Sequence, residues 1–158
     1  MRNKIFFIKH PVWLVLLFLL LISLSASAQQ GLYVAPFFKG EYNQDPNAVV
    51  VIIKGKKLEP YHLSLFHSIE IKDSPRNIDR IEKAVLADGK HAENSEEVKD
   101  GTRTVACYYQ LPPAGKAGKG PNRFILFRRS GQGSGTLIYL EGHTELEQLI
   151  KIFIHKKK

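Results

Sequence analysis

Apolar and polar residues alternate along Leu63 to Ile71. Leu63, Leu65, His67, Ile69 and Ile71 fall on one face, and Ser64, Phe66, Ser68 and Glu70 on the other. A two-residue period predicts a β-strand. The same period runs from Thr102 to Leu111, with Val105, Cys107, Tyr109 and Leu111 opposite Thr104, Ala106, Tyr108 and Gln110. Phe124 to Arg129 and Thr136 to Glu141 read as two further strands, joined into a hairpin by Gly131-Gln132-Gly133-Ser134-Gly135. Ala48 to Lys54 differs: AVVVIIK is apolar and β-branched with no alternation, which predicts a central strand covered on both faces.

A helical period replaces the strand period after Ser74-Pro75. Serine suits the cap and proline the first helical position. Ile78, Ile81, Val85 and Leu86 form one stripe, Asp79 and Lys83 stand four apart on the outer side, and Gly89 falls where helices end. Pro36 predicts a short helix near the start that brings Phe37 toward Tyr42. A final helix is predicted after Thr144, which with Glu147 forms a capping box; Leu146, Leu149, Ile150 and Phe153 make its stripe. The linkers are 43–47, Gly55-Lys56, an irregular stretch around Pro60, the polar and acidic 90–101, and the Gly- and Pro-rich basic loop 112–121. The order is helix, two strands, helix, three strands, helix. Short links between successive strands imply antiparallel pairing. The expected fold is α+β, with a single antiparallel sheet of about five strands and helices packed on one face.

The N-terminus has a different grammar. Arg2, Lys4 and Lys9 precede an unbroken apolar run, Val12 to Ile22, which Leu24 extends, and Ala26-Ser27-Ala28 follows. A basic start, a short apolar middle and small residues at the end predict a secretory signal peptide over 1–28, cut between Ala28 and Gln29. The uncharged stretch from Pro11 to Ala28 is 18 residues long and ends in small and polar side chains, short for a membrane anchor. The expected mature chain is a single α+β domain over 29–158 with a basic C-terminal tail, Lys156 to Lys158, and the expected location is periplasmic or secreted. Membrane contact is confined to the N-terminal segment before cleavage.

Export changes the meaning of the charge. The formal +8 falls to +5 once the three N-terminal basic residues leave, and three of the remaining charges sit in the tail. The body is mildly basic, which together with export argues against a nucleic-acid partner. Cys107 is the only cysteine, so an intrachain disulfide is impossible; its neighbours in the alternation, Val105 and Tyr109, predict an inert core thiol.

Candidate chemistry is sparse. The 131–135 glycines have a strand after them where a dinucleotide fingerprint requires a helix, and no Ser or Thr follows the lysines of 115–120 in a phosphate-loop frame. Gly133-Ser134-Gly135 lies between strands, whereas a nucleophile elbow joins a strand to a helix. His62 and His67 are five apart and point to opposite faces, and no zinc, calcium or paired-cysteine spacing occurs. No catalytic residue, cofactor or metal is therefore assigned. Lys116, Lys119, Arg123, Arg128 and Arg129 are the one candidate patch, a basic cluster at one end of the sheet, although alternation sends Arg128 and Arg129 to opposite faces.

The Ala-Gln step after the apolar run, Val50 to Leu58 (VVIIKGKKL), and Leu137 to Gly142 (LIYLEG) leading to Leu146 and Leu149 resemble small exported proteins of unknown function from Gram-negative bacteria. The resemblance implies an α+β fold and an envelope location, and no catalytic residue. The expected function is that of a non-catalytic binding module for another envelope protein or surface component. Two alternatives stand beside it: a small envelope enzyme with a site assembled from separated residues, and a carrier of an apolar ligand, suggested by Tyr33, Phe37, Phe38 and Tyr42.

Overall fold

The computed structural model describes residues 29, 31–115, 118–131, 133–145 and 149. The expected signal peptide and most of the expected last helix lie outside them. The chain divides into two units, Met1–Gln30 and Gly31–Lys158, and the fold is that of the second.

Among the described residues, six strands form one antiparallel sheet: β1 (Ala48–Lys54), β2 (Leu63–Ile71), β3 (Asn94–Asp100), β4 (Arg103–Leu111), β5 (Asn122–Arg129) and β6 (Gly135–Gly142). Their order across the sheet is β1-β2-β6-β5-β4-β3. The α-helix α1 (Pro75–Gly89) carries the chain from β2 to the far edge, and β3 to β6 then meander back to pair with β2. Two 3-10 segments, Ala35–Lys39 and Gly55–Tyr61, precede β1 and β2. The class is α+β, with six strands where about five were expected. The extra strand, β3, is NSEEVKD and exposed along its whole length. Having no buried face, it has no apolar period to betray it; its pairing with β4 through the Asp100-Gly101 turn is what makes it a strand.

Both faces of the sheet are apolar. On one, α1 and the first 3-10 segment lay Ile78, Ile81, Val85, Phe37 and Phe38 against Ile69, Ile71, Tyr109, Ile125, Phe127, Leu137 and Tyr139. On the other, Leu58 of the second 3-10 segment and Leu149 pack on Leu63, Phe124 and Leu140. Helical cover is thus not confined to one face as expected. The continuous runs Phe124 to Phe127 and Leu137 to Leu140 are the reason: strands apolar on both sides need cover on both.

β1 is an edge strand, not the central one its composition predicts. Among the described residues it pairs only with β2, and Val49, Val51 and Ile52 are exposed. Apolar β-branched composition fixes a preference for extended backbone, but position in the sheet depends on where the later strands close.

Three local expectations also change. A register irregularity between Leu63 and Leu65 turns Leu63 into the cluster on the opposite face, away from Ile69. Ser74 occupies the cap position of α1 without a side-chain capping bond, while its amide donates to the Gly133 carbonyl at 2.8 Å. Asp79 turns from Lys83 to Arg129. The expected Phe37–Tyr42 contact forms, with ring centroids 6.3 Å apart.

Candidate functional site

Several buried polar groups under α1 make bonds that hold the fold together. Asp88, at the end of α1, accepts the amides of Tyr33 and Val34 at 2.8 and 3.0 Å and so clasps the N-terminal segment to the helix. Burial pushes its pKa up, and the two amide bonds counter part of that rise. Glu97 of β3 accepts from the Tyr109 hydroxyl at 2.5 Å, a bond that with Lys99 holds the carboxyl below its ordinary range.

His67, Tyr139 and Glu141 are the nearest approach to a catalytic constellation. His67 and Tyr139 are register partners on β2 and β6, and the Tyr139 hydroxyl donates to Glu141 at 2.5 Å. All three are nearly sealed from solvent, and Phe38 lies over the His67 ring at 4.5 Å. A substrate would have to displace the aromatic core to reach them. Burial, aided by the charge of Lys54, lowers the His67 pKa from 6.5.

That shift has a sign that can be tested. The unfolded chain takes up a proton near pH 6.5 before the folded chain does, so His67 contributes stability that is intact above that value and lost as pH falls through the lowered folded pKa. The urea midpoint should therefore fall between pH 7.5 and 5.5, and His67→Gln should flatten that slope. An unchanged slope would show that His67 is not the group responsible.

Cys107 is buried, and burial pushes its thiol up to about 12, so it stays protonated at neutral pH and is a poor nucleophile. No group of three or more His, Cys, Asp or Glu among the described residues could hold a metal ion.

The members of the expected basic cluster differ in setting. Arg129, on the α1 face, is bound by Asp79 at 2.6 Å and by Glu82. Arg128 is exposed on the opposite face near the end of β5. Arg123, at the start of β5, donates to the Pro112 carbonyl at 2.8 Å; five residues of strand separate it from Arg128, about 16 Å. Lys119 is exposed in the preceding loop, and Lys116 lies outside the described residues. Arg128 and Arg129 thus face opposite sides of the sheet, and Arg129 is held in an ion pair with α1.

What alternation does not single out is the far half of the second face. There the sheet forms an open trough of about 540 Å³, within the range of ligand sites. Two cross-strand rows make its floor. Glu96, Tyr108, Leu126 and Ile138 are successive register partners across β3, β4, β5 and β6; Val98, Ala106, Arg128 and Thr136 form the next row. The first row is apolar with a carboxylate at its β3 end, and the second carries a guanidinium and a hydroxyl. The Tyr108 hydroxyl is buried with no hydrogen-bond partner among the described residues, an uncommon state for a buried polar group. Burial, with the Glu145 charge behind it, raises the Tyr108 pKa, so the phenol remains a donor. The signal for this face lies in the doubly apolar runs of β5 and β6, whose second side must meet something.

An open six-stranded antiparallel sheet, with a helix across one face and an apolar trough on the other, defines an α+β protein among the described residues. The chain belongs to the DUF6108 family, a family of unknown function, whose profile matches residues 21–153. No curated protein and no solved structure matches it.

Proposed function

We propose that this protein is an exported, non-catalytic binding domain, and that it holds an apolar part of an envelope protein or surface component in the trough. The observation that carries the reading is the contrast between the two faces. Under α1 the side chains are packed into a closed core, whereas the trough leaves Leu126, Ile138 and Val98 in an open concavity beside Arg128 and Glu96. Binding sites combine an apolar floor with a few placed polar groups in this way. Export is supported by the three-part N-terminal pattern. Of the four aromatics behind the carrier reading, Phe37, Phe38 and Tyr42 are core residues and Tyr33 is exposed; a small apolar ligand in the trough is the form of that reading with a concavity to hold it.

Titration with N-phenyl-1-naphthylamine tests the trough. Saturable fluorescence enhancement is expected, and Ile138→Lys, which sets a charge in the floor, should weaken it by at least about 10-fold. Absence of saturable binding by the folded protein would overturn the reading. Intact mass of protein recovered from the exporting cell should begin at Gln29; a mass retaining residues 1–28 would sink the cleavage.

A further inference from the structure

The two edges of the sheet are built differently. At one edge, β3 is charged and polar, with Glu96, Glu97, Lys99 and Asp100, and its register slips between Val98 and Lys99. Charge and irregularity are the usual protections of a free edge against a second sheet. At the other edge, β1 has neither. Its register with β2 is unbroken from Ala48↔Ile71 to Lys54↔Leu65, and its only charged residue is the last one, Lys54. Val49, Val51 and Ile52 are 53, 39 and 53 % exposed, three of the five large apolar side chains exposed among the described residues. A long, regular, apolar edge is unfavourable to leave in water and is a template for strand addition.

We propose that β1 is a homodimer interface, and that it pairs antiparallel with β1 of a second copy about a two-fold axis at Val51 to make one continuous sheet. The strand is self-complementary in that register. Val51 meets Val51, Val50 meets Ile52, and Val49 meets Ile53, so each of these cross-strand pairs is apolar and β-branched. Lys54 falls opposite Ala48 of the second copy, which places the two ammonium groups at opposite ends of the pairing. No other placement of the strand on itself about a two-fold axis overlaps its whole length.

The backbone agrees. The Lys72 amide donates to the Asn47 carbonyl at 2.8 Å, so odd-numbered residues of β1 aim their amides and carbonyls at β2, and even-numbered residues aim theirs outward. Pairing about Val51 sets even residues against even residues. Val50 and Ile52 exchange both bonds with their counterparts, and the Lys54 amide reaches the Ala48 carbonyl, about six inter-strand bonds in all. The Ala48 amide is engaged by the Asp45 carbonyl at 3.0 Å, which ends the ladder there. The trough lies toward the β3 edge and stays open in this dimer, so the inference stands apart from the proposed ligand.

Val51→Cys gives the test, because the native cysteine is buried. At a two-fold, non-hydrogen-bonded position the two Cα atoms lie about 4.5 Å apart, within disulfide reach. Protein purified as the cell processes it should sediment as a dimer, and Val51→Cys should oxidise to a covalent dimer while Val49→Cys does not. Val51→Lys should raise the dimer dissociation constant by on the order of 100-fold, and mixing it with Val51→Glu should restore a heterodimer. A monomer at all concentrations, a dimer indifferent to Val51→Lys, or a cross-link from the Val51→Cys thiol to a different chain or to another segment of the same chain would each overturn the proposal.

Discussion

Glu82→Ala should destabilise the fold by about 3 kcal/mol, and Asp79→Ala by less than about 1 kcal/mol, although both carboxylates bind the same guanidinium. The difference is burial. The Arg129 side chain is 6 % exposed and Glu82 14 %, whereas Asp79 is 60 % exposed. Burial opposes the charge on Arg129, but hydrogen bonds to Glu82 and Asp79 outweigh it and raise the pKa. Removing Glu82 leaves a buried cation with only a solvated partner, and its Nε already lacks one among the described residues. The same change strips the Thr104 amide, which donates to Glu82 at 3.0 Å. Removing Asp79 takes away a charge that water largely screens. Glu82→Gln separates the two losses: it keeps an acceptor for Thr104 and removes the charge, so it should fall between the other variants. Urea midpoints for the three decide it. Equal costs for Glu82→Ala and Asp79→Ala would show that Arg129 is not held as a buried ion.

Gly89→Ala should cost about 3 kcal/mol, against the direction of helix propensity, which favours alanine by about 1 kcal/mol. A Cβ at Gly89 would stand 2.4 Å from Cζ of Tyr109 and 2.6 and 2.7 Å from its two Cε atoms. The ring cannot retreat. Tyr109 is among the largest fully enclosed side chains, and its hydroxyl is held by Glu97. Gly89 is therefore required for close packing of α1 on β4; it is not among the positive-φ glycines, and the residue after it, Lys90, has φ −62. In a Tyr109→Leu background the cost of Gly89→Ala should shrink by about 2 kcal/mol. If the double-mutant cycle shows no coupling, the contact does not set the requirement for glycine.

These two sites show where sequence reasoning reaches and where it stops. Gly89 is legible as a helix end because glycine there is common, yet its actual reason is a ring that lies across the fold. Arg129 reads as half of a basic pair with Arg128 because both are cationic and adjacent; the carboxylates that neutralise it are on α1, 50 and 47 residues away. The strands β2, β4, β5 and β6 and the helix α1 are legible because each buries at least one face and so carries a period. β3 buries none and carries none. The trough is legible only in part: apolar residues on the second side of β5 and β6 say that this side meets something, while its shape depends on which residues of β3 and β4 arrive beside them.

By itself, the sequence determines the elements with a buried face, the antiparallel pairing that follows from short links, the core position of Cys107, and the net charge. These depend on local spacing and composition, which a strand or helix reads directly as periodicity and turn chemistry. The tertiary structure alone decides that β1 is an edge and not a centre, that Leu63 faces away from Leu65, that Arg129 is bound by acids of α1, and that one face of the sheet is sealed while part of the other stays open. Each of those depends on which distant segment arrives beside a residue. The return of β6 to β2, with the meander running on to β3, sets the sheet order and leaves AVVVIIK on the outside.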